Sequence, residues 1–140
     1  MNIAFFLTPK KDVVFVKSTS TLRQAMERME YHTYTAIPIL ADKGRYIGTL
    51  TEGDLLWKFK NTPDLDFKNM SKINISDIFL HTDIKPVHIA ANIEDVLETA
   101  MEQNFVPVVD DENVFIGIIK RSDIIKYLYE KSYKKSSQIA

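Results

Sequence analysis

The chain has 140 residues, 45% hydrophobic and 26% charged, enough for one ordinary domain or two half-size units sharing a core. It contains no cysteine, which excludes disulfides, thiolate metal sites and cysteine nucleophiles and fits a reducing cytoplasm. With 18 basic and 19 acidic residues the net charge is -1, so no global field draws the chain to nucleic acid or an anionic membrane.

The opening Met1-Asn2-Ile3-Ala4-Phe5-Phe6-Leu7 is apolar but lacks a basic flank and meets Pro9-Lys10-Lys11-Asp12 too soon for a secretory signal. No apolar run approaches the ~20 residues of a membrane span. Around Val16 a short first strand is expected. Leu22, Ala25, Met26 and Met29 then adopt helical spacing, with Ser20 or Thr21 as the start signal. Two β-rich runs, Ala36 to Leu40 and Tyr46 to Leu50, are joined by Ala41-Asp42-Lys43-Gly44-Arg45, a hairpin-like loop. A second helix runs from Glu52 to about Lys60, and Asn61-Thr62-Pro63-Asp64-Leu65-Asp66 reads as a polar linker.

The same order then recurs. A strand at Val87 precedes a helix carrying Ile93, Val96, Leu97, Ala100 and Met101, with Asn92 and Asp95 at its start. Strands Phe105 to Val109 and Phe115 to Ile119 flank Asp110-Asp111-Glu112-Asn113, and a helix runs from Ser122 to about Glu130. Pro38 and Pro107, Gly48 and Gly117, and Asp54 and Asp123 each stand 69 residues apart (107 − 38, 117 − 48, 123 − 54). Upstream, Val16, Leu22 and Met26 match Val87, Ile93 and Leu97 at 71, so the second copy is two residues shorter between its first helix and its proline. The fold class is therefore α/β (α+β): two β-α-β-β-α repeats, 1–70 with the linker and 71–140, packed as a pseudo-twofold pair with clefts between them.

The chemistry is confined to few places. The glycines at 44, 48, 53 and 117 assemble no dinucleotide turn, P-loop or nucleophile elbow. His32, His81 and His88 have no ligand spacing, so no metal is expected. Each glycine-containing strand leads straight into a polar tetrapeptide, Thr51-Glu52-Gly53-Asp54 in one copy and Lys120-Arg121-Ser122-Asp123 in the other. A carboxylate there can accept from the vicinal hydroxyls of a ribose, and a helix N-terminus favours an anion. Thr51 and Asp54 equally have the spacing of a helix cap and its N3 acid. Lys120 is a poor cap, yet Asp123 is retained.

Paired h-x-P-h, a strand ending G-h-h and T-x-x-D before a helix resemble a tandem cystathionine beta-synthase (CBS) domain pair, a Bateman module. The likeness runs from about Phe6 to about Tyr129. Copy two departs from it in placing Lys120 where a threonine or serine is usual. The resemblance implies a non-catalytic regulatory module that needs no cofactor and binds an adenosine-containing ligand: cyclic di-AMP, AMP, ADP, ATP or S-adenosylmethionine. It implies one site from Val14, Tyr34, Thr35, Ala36 and Pro38 with Lys120, Arg121 and Asp123, and another from Phe105, Val106 and Pro107 with Thr51 and Asp54. The first is favoured because Lys120 and Arg121 can pair with phosphates and Tyr34 can stack. The second, with Glu52 beside Thr51, suits an uncharged nucleoside or stays empty. The opening Phe6-Leu7-Thr8-Pro9 and the short loop before Pro107 are similar to small stand-alone bacterial CBS proteins that bind cyclic di-AMP, which makes that ligand the leading expectation.

The resemblance also implies a homodimer through helices, to which Leu55, Leu56, Trp57 and Phe59 could contribute, and an effector partner protein that receives the signal. No enzyme, channel or helix-turn-helix segment fits beside the pair. The tail residues Tyr127, Tyr129, Lys131, Tyr133, Lys134 and Lys135 alternate aromatics and bases as single-strand binders do, but fit better a fraying helix with a solvated basic end.

Overall fold

A computed structural model describes residues 2–134. It is a mixed α/β structure with four α-helices and two sheets among the described residues, and it divides into two compact units. The central unit is Val14–Lys85; the terminal unit joins the residues before Val14 to those from Pro86 on.

In the central unit, strands β2 (Val16–Lys17), β3 (Ala36–Leu40) and β4 (Tyr46–Thr51) form a sheet in that order, β2 parallel and β4 antiparallel to β3. Helix α1 (Leu22–His32) starts at Thr21, which of the two expected caps is the one used. Its hydroxyl accepts the Gln24 amide while the Gln24 side chain accepts the Thr21 amide. Leu22, Ala25 and Met29 turn inward to meet Ile37, Ile39, Leu50 and Leu55, so the helical period and the strand residues build one core. Helix α2 is Glu52–Asn61. The chain beyond it returns under this core through Met70, Ile75 and Ile78.

The terminal unit repeats the plan with β5 (Val87–His88), α3 (Ile93–Ala100), β6 (Phe105–Val109), β7 (Phe115–Lys120) and α4 (Arg121–Tyr129). Its sheet gains a fourth strand, β1 (Leu7–Pro9), antiparallel to β7. The opening segment thus belongs to the same compact unit as the second repeat, whereas the sequence reading placed all of residues 1–70 in the first. Gly117 permits this approach, because a Cβ there would lie 2.2 Å from the Thr8 carbonyl oxygen. The equivalent Gly48 faces Leu80, whose Cδ1 would lie 2.7 Å from an added Cβ. Each repeat therefore keeps a glycine where a passing segment crosses its last strand.

The two-residue difference between copies falls between the start of the first helix and the next strand, 14 residues from Leu22 to Ala36 and 12 from Ile93 to Phe105 (36 − 22, 105 − 93). α1 closes on Thr33 in the left-handed conformation (φ 55) and Tyr34 N–H bonds back to Met29. Met101, expected on the apolar face of α3, lies one residue past its end and is exposed, because that helix stops a turn sooner. Beyond α4, residues Glu130–Lys134 form a π-helical turn. The Lys131 ammonium lies 5.8 Å from the Tyr127 ring centre, Tyr129 stacks on Tyr133, and Lys135 lies outside the described residues. Among the described residues no helix is long and apolar enough to cross a membrane.

Candidate functional site

Strand pairing brings the expected residues of each repeat to one end of its own sheet. In the central unit Ala36 is the register partner of Thr51, and the Glu52 amide donates to the Thr35 carbonyl at 2.9 Å. Pro38 is buried within β3, Val14 is half-buried against the core, and Tyr34 stays 45% exposed with its ring stacked on His32. In the terminal unit Phe105 is the partner of Lys120, and the Arg121 amide donates to the Asn104 carbonyl at 2.9 Å. Val106 and Pro107 are buried in β6 and Phe105 is half-buried.

The two aspartates at the starts of α2 and α4 have different fates. Asp54 is 1% exposed. Its Oδ2 accepts the Thr51 amide at 2.8 Å and the Thr51 hydroxyl at 2.9 Å, and its Oδ1 accepts the His81 amide at 2.8 Å. Both oxygens are thus occupied by the fold, as a buried carboxylate requires. Asp123 is half-exposed, and no hydrogen bond or ion pair to it is found among the described residues. Lys120, the cap residue of α4, is exposed and makes no capping bond, so Asp123 is not drawn into a cap as Asp54 is.

Arg121 is less available than its sequence position suggests. Nη1 donates to the Ala100 carbonyl at 3.2 Å and Nη2 to the Asn104 side-chain oxygen, which ties the guanidinium to the end of α3. Of the two cations at this end of the sheet, Lys120 is therefore the one available to a ligand. Sequence patterns did not reveal this, because both acceptors lie 17 or more residues upstream.

A third group, unrecognised from the sequence, holds the segment after α2. The Tyr46 hydroxyl is buried, shares a 2.8 Å bond with the Thr49 hydroxyl and donates to the Ile84 carbonyl at 2.8 Å. Burial pushes this phenol up to about 12, opposed by the Thr49 bond and reinforced by the Asp83 charge. The terminal unit has Phe115 and Ile118 at the equivalent positions, so it has no such bond to make. Beside Asp54, a concavity of about 330 Å³ is lined by Trp57, Lys58 and Asn61 of α2 and by Asp77, Phe79 and His81. No group of three or more metal-ligating side chains occurs among the described residues.

The CBS domain model matches residues 6–61 and 75–130, the two repeats found by spacing. The chain belongs to the CBS domain family. Cyclic di-AMP receptor B of Bacillus subtilis (strain 168) is 28% identical to this CBS protein over 127 residues, 91% of this chain and 86% of the relative. The chloroplastic CBS domain-containing protein CBSX1 of Arabidopsis thaliana is 25% identical, over 89% of this chain and 63% of that protein. Matched inosine-5'-monophosphate dehydrogenases share only 22% of their own length with the CBS repeats. Among solved structures, CbpB in complex with c-di-AMP superposes with a TM-score of 0.85 at 23% identity, over 99% of this chain and 91% of that one. A CBS domain protein from Streptococcus pneumoniae TIGR4 gives 0.82 at 29% identity, over 93% and 88%. The repeats therefore have the CBS-pair fold.

Proposed function

We propose that this CBS pair is a non-catalytic sensor that binds an adenosine-containing nucleotide, cyclic di-AMP first and AMP or ATP next, and passes its bound state to a partner protein. The observation that carries the reading is the half-exposed carboxylate of Asp123, unbonded at the first turn of α4, beside the exposed Lys120. An acceptor-only carboxylate there can take both hydroxyls of a ribose, and a neighbouring ammonium can pair with a phosphate. Val14, Tyr34, Thr35, Ala36 and Pro38 of the central unit are assigned to the base, with the exposed Tyr34 ring as a stacking surface. Cyclic di-AMP takes precedence because a 28% identical relative is named as its receptor and the matching CbpB was solved with it. AMP comes next because the similar CBSX2 was solved with AMP.

Thr51 and Asp54 receive a different role. Their bonds are spent on capping α2 and holding His81, so one nucleotide per chain is expected, with Phe105, Val106 and Pro107 left as strand core. Self-association is assigned to the helices: Leu56 of α2 and Ile125 of α4 stand at equivalent positions of the two repeats (125 − 56 = 69) and are 59% and 58% exposed. A helical face left apolar twice over at matching positions is a reason to expect a homodimer. Catalysis is not part of the reading, and with no cysteine to protect, the cytoplasm is the expected compartment.

The test is a thermal-shift panel on nucleotide-free protein with cyclic di-AMP, AMP, ADP, ATP and S-adenosylmethionine. Stabilisation by one of them supports the sensor. No shift with any of them supports instead a ligand-free interaction module, to which the exposed helical residues already point.

A further inference from the structure

The central unit carries a second concavity of about 450 Å³, lined by Phe15, Val16, Lys17, Ser20, Gln24 and Arg28, none of which is among the residues assigned to the nucleotide. Its size falls within the range of about 300–1,000 Å³ usual for small-ligand sites. We propose that this concavity binds a phosphate-bearing small anion.

The polar groups of the rim are sorted by charge and by bonding. The Arg28 Nη1 donates to the Phe15 carbonyl at 2.6 Å, which fixes the guanidinium over the strand and leaves its remaining N–H groups to point elsewhere. Gln24 accepts the Thr21 amide through Oε1 at 2.9 Å, so its NH2 is the part of the amide left to bind. The Lys17 carbonyl accepts the Ser20 amide and the Ser20 carbonyl accepts the Ile75 amide. The main-chain acceptors at Phe15, Lys17 and Ser20 and the one amide acceptor are therefore already used. What remains is an ammonium, a guanidinium edge, an amide NH2 and a hydroxyl, which is a donor set for an oxyanion.

Neither cation has a carboxylate partner among the described residues, and the nearby Arg23 is already paired with Glu27 at 3.1 Å. The fold does not require these donors. At 71 residues' distance the second repeat builds the same strand and helix with His88, Ala91, Asp95 and Thr99 in place of Lys17, Ser20, Gln24 and Arg28 (88 − 17, 91 − 20, 95 − 24, 99 − 28). There the His88 ring is bonded to Asp111 and Asp95 accepts the Asn92 amide, so the equivalent surface carries carboxylates where the first repeat carries donors. The apolar wall of Phe15 and Val16 gives room for more than a bare phosphate.

The experiment is a titration of the full chain, monitored by backbone amide NMR, with pyrophosphate and separately with ribose 5-phosphate. Saturable shifts at Phe15, Lys17, Ser20, Gln24 and Arg28 are expected with at least one probe. Tighter binding of ribose 5-phosphate would identify an organic phosphate, and tighter pyrophosphate an inorganic one. Lys17→Glu should weaken binding by at least about tenfold at unchanged melting temperature, because it replaces one partner of a charge-assisted bond with a repelling charge. Arg28→Gln should do the same; if losing the Phe15 bond unfolds it, Lys17→Glu decides alone. Asp123→Ala should leave these shifts intact, which separates this site from the nucleotide reading. Absence of shifts at these amides, or an affinity untouched by Lys17→Glu, would overturn the proposal.

Discussion

The Asp54 carboxylate accepts the His81 main-chain amide across 27 residues of sequence, at 2.8 Å and almost fully buried. One residue thereby caps α2 and fastens the segment that leaves the central unit. Removing the side chain leaves the His81 and Thr51 amides and the Thr51 hydroxyl without their common acceptor. Asp54→Ala should therefore destabilise the chain by about 3 kcal/mol in urea unfolding. Asp123→Ala, at the equivalent position without such bonds, should stay within about 0.5 kcal/mol. Equal losses at the two positions would contradict the division of roles.

Tyr46 adds a pH dependence. Its folded pKa of about 12 lies above the ordinary value of 10.0, so the folded state holds the phenol proton more tightly than the unfolded chain does. The stability this contributes is complete below about pH 10 and is lost as pH rises towards about 12, at up to about 1.4 kcal/mol per pH unit. Tyr46→Phe should remove that slope from the alkaline unfolding profile. It should also cost about 1–3 kcal/mol at neutral pH, because the Ile84 carbonyl and the Thr49 hydroxyl lose a buried partner.

The docking of β1 depends on Gly117. Gly117→Ala would drive a Cβ into the Thr8 carbonyl, so β1 should detach and hydrogen-exchange protection across Leu7–Pro9 should collapse. Gly53→Ala meets its nearest atom at 3.7 Å inside α2 and should be neutral or stabilising by up to about 1 kcal/mol. Chemical unfolding of both variants checks the contrast.

These long-range bonds mark the limit of what the sequence could disclose. Apolar spacing and the 69- and 71-residue offsets located the strands, the helices and the doubling, because those patterns are local or repeat in register. The Thr51–Asp54 cap was legible for the same reason, as both partners lie within one turn, and the start of α1 was narrowed to Ser20 or Thr21, of which Thr21 is used. The addition of β1 to the far sheet, the anchoring of Arg121 at the end of α3 and the hold of Tyr46 on Ile84 were not, since each joins residues that no local period links. The Gly48 and Gly117 pair was the one sequence trace of such crossings, visible as a motif but silent about what crosses.

Leu56→Glu and Ile125→Glu each place a charge on the exposed helical positions shared by the two repeats. The proposed self-association through these helices predicts that the unsubstituted chain sediments as a dimer and either variant as a monomer at the same concentration. An unchanged mass would move the self-association surface elsewhere.

The most direct measurement is calorimetric titration of the nucleotide-free chain and its Asp123→Ala and Lys120→Ala variants with cyclic di-AMP, with AMP and ATP in parallel. Saturable binding at one nucleotide per chain is predicted, weakened at least about tenfold by Asp123→Ala, the loss of one or two charge-assisted bonds, and less by Lys120→Ala. Heats that never saturate with any of the three, or an affinity indifferent to Asp123, would contradict the assignment of this CBS pair as a nucleotide sensor built on that carboxylate.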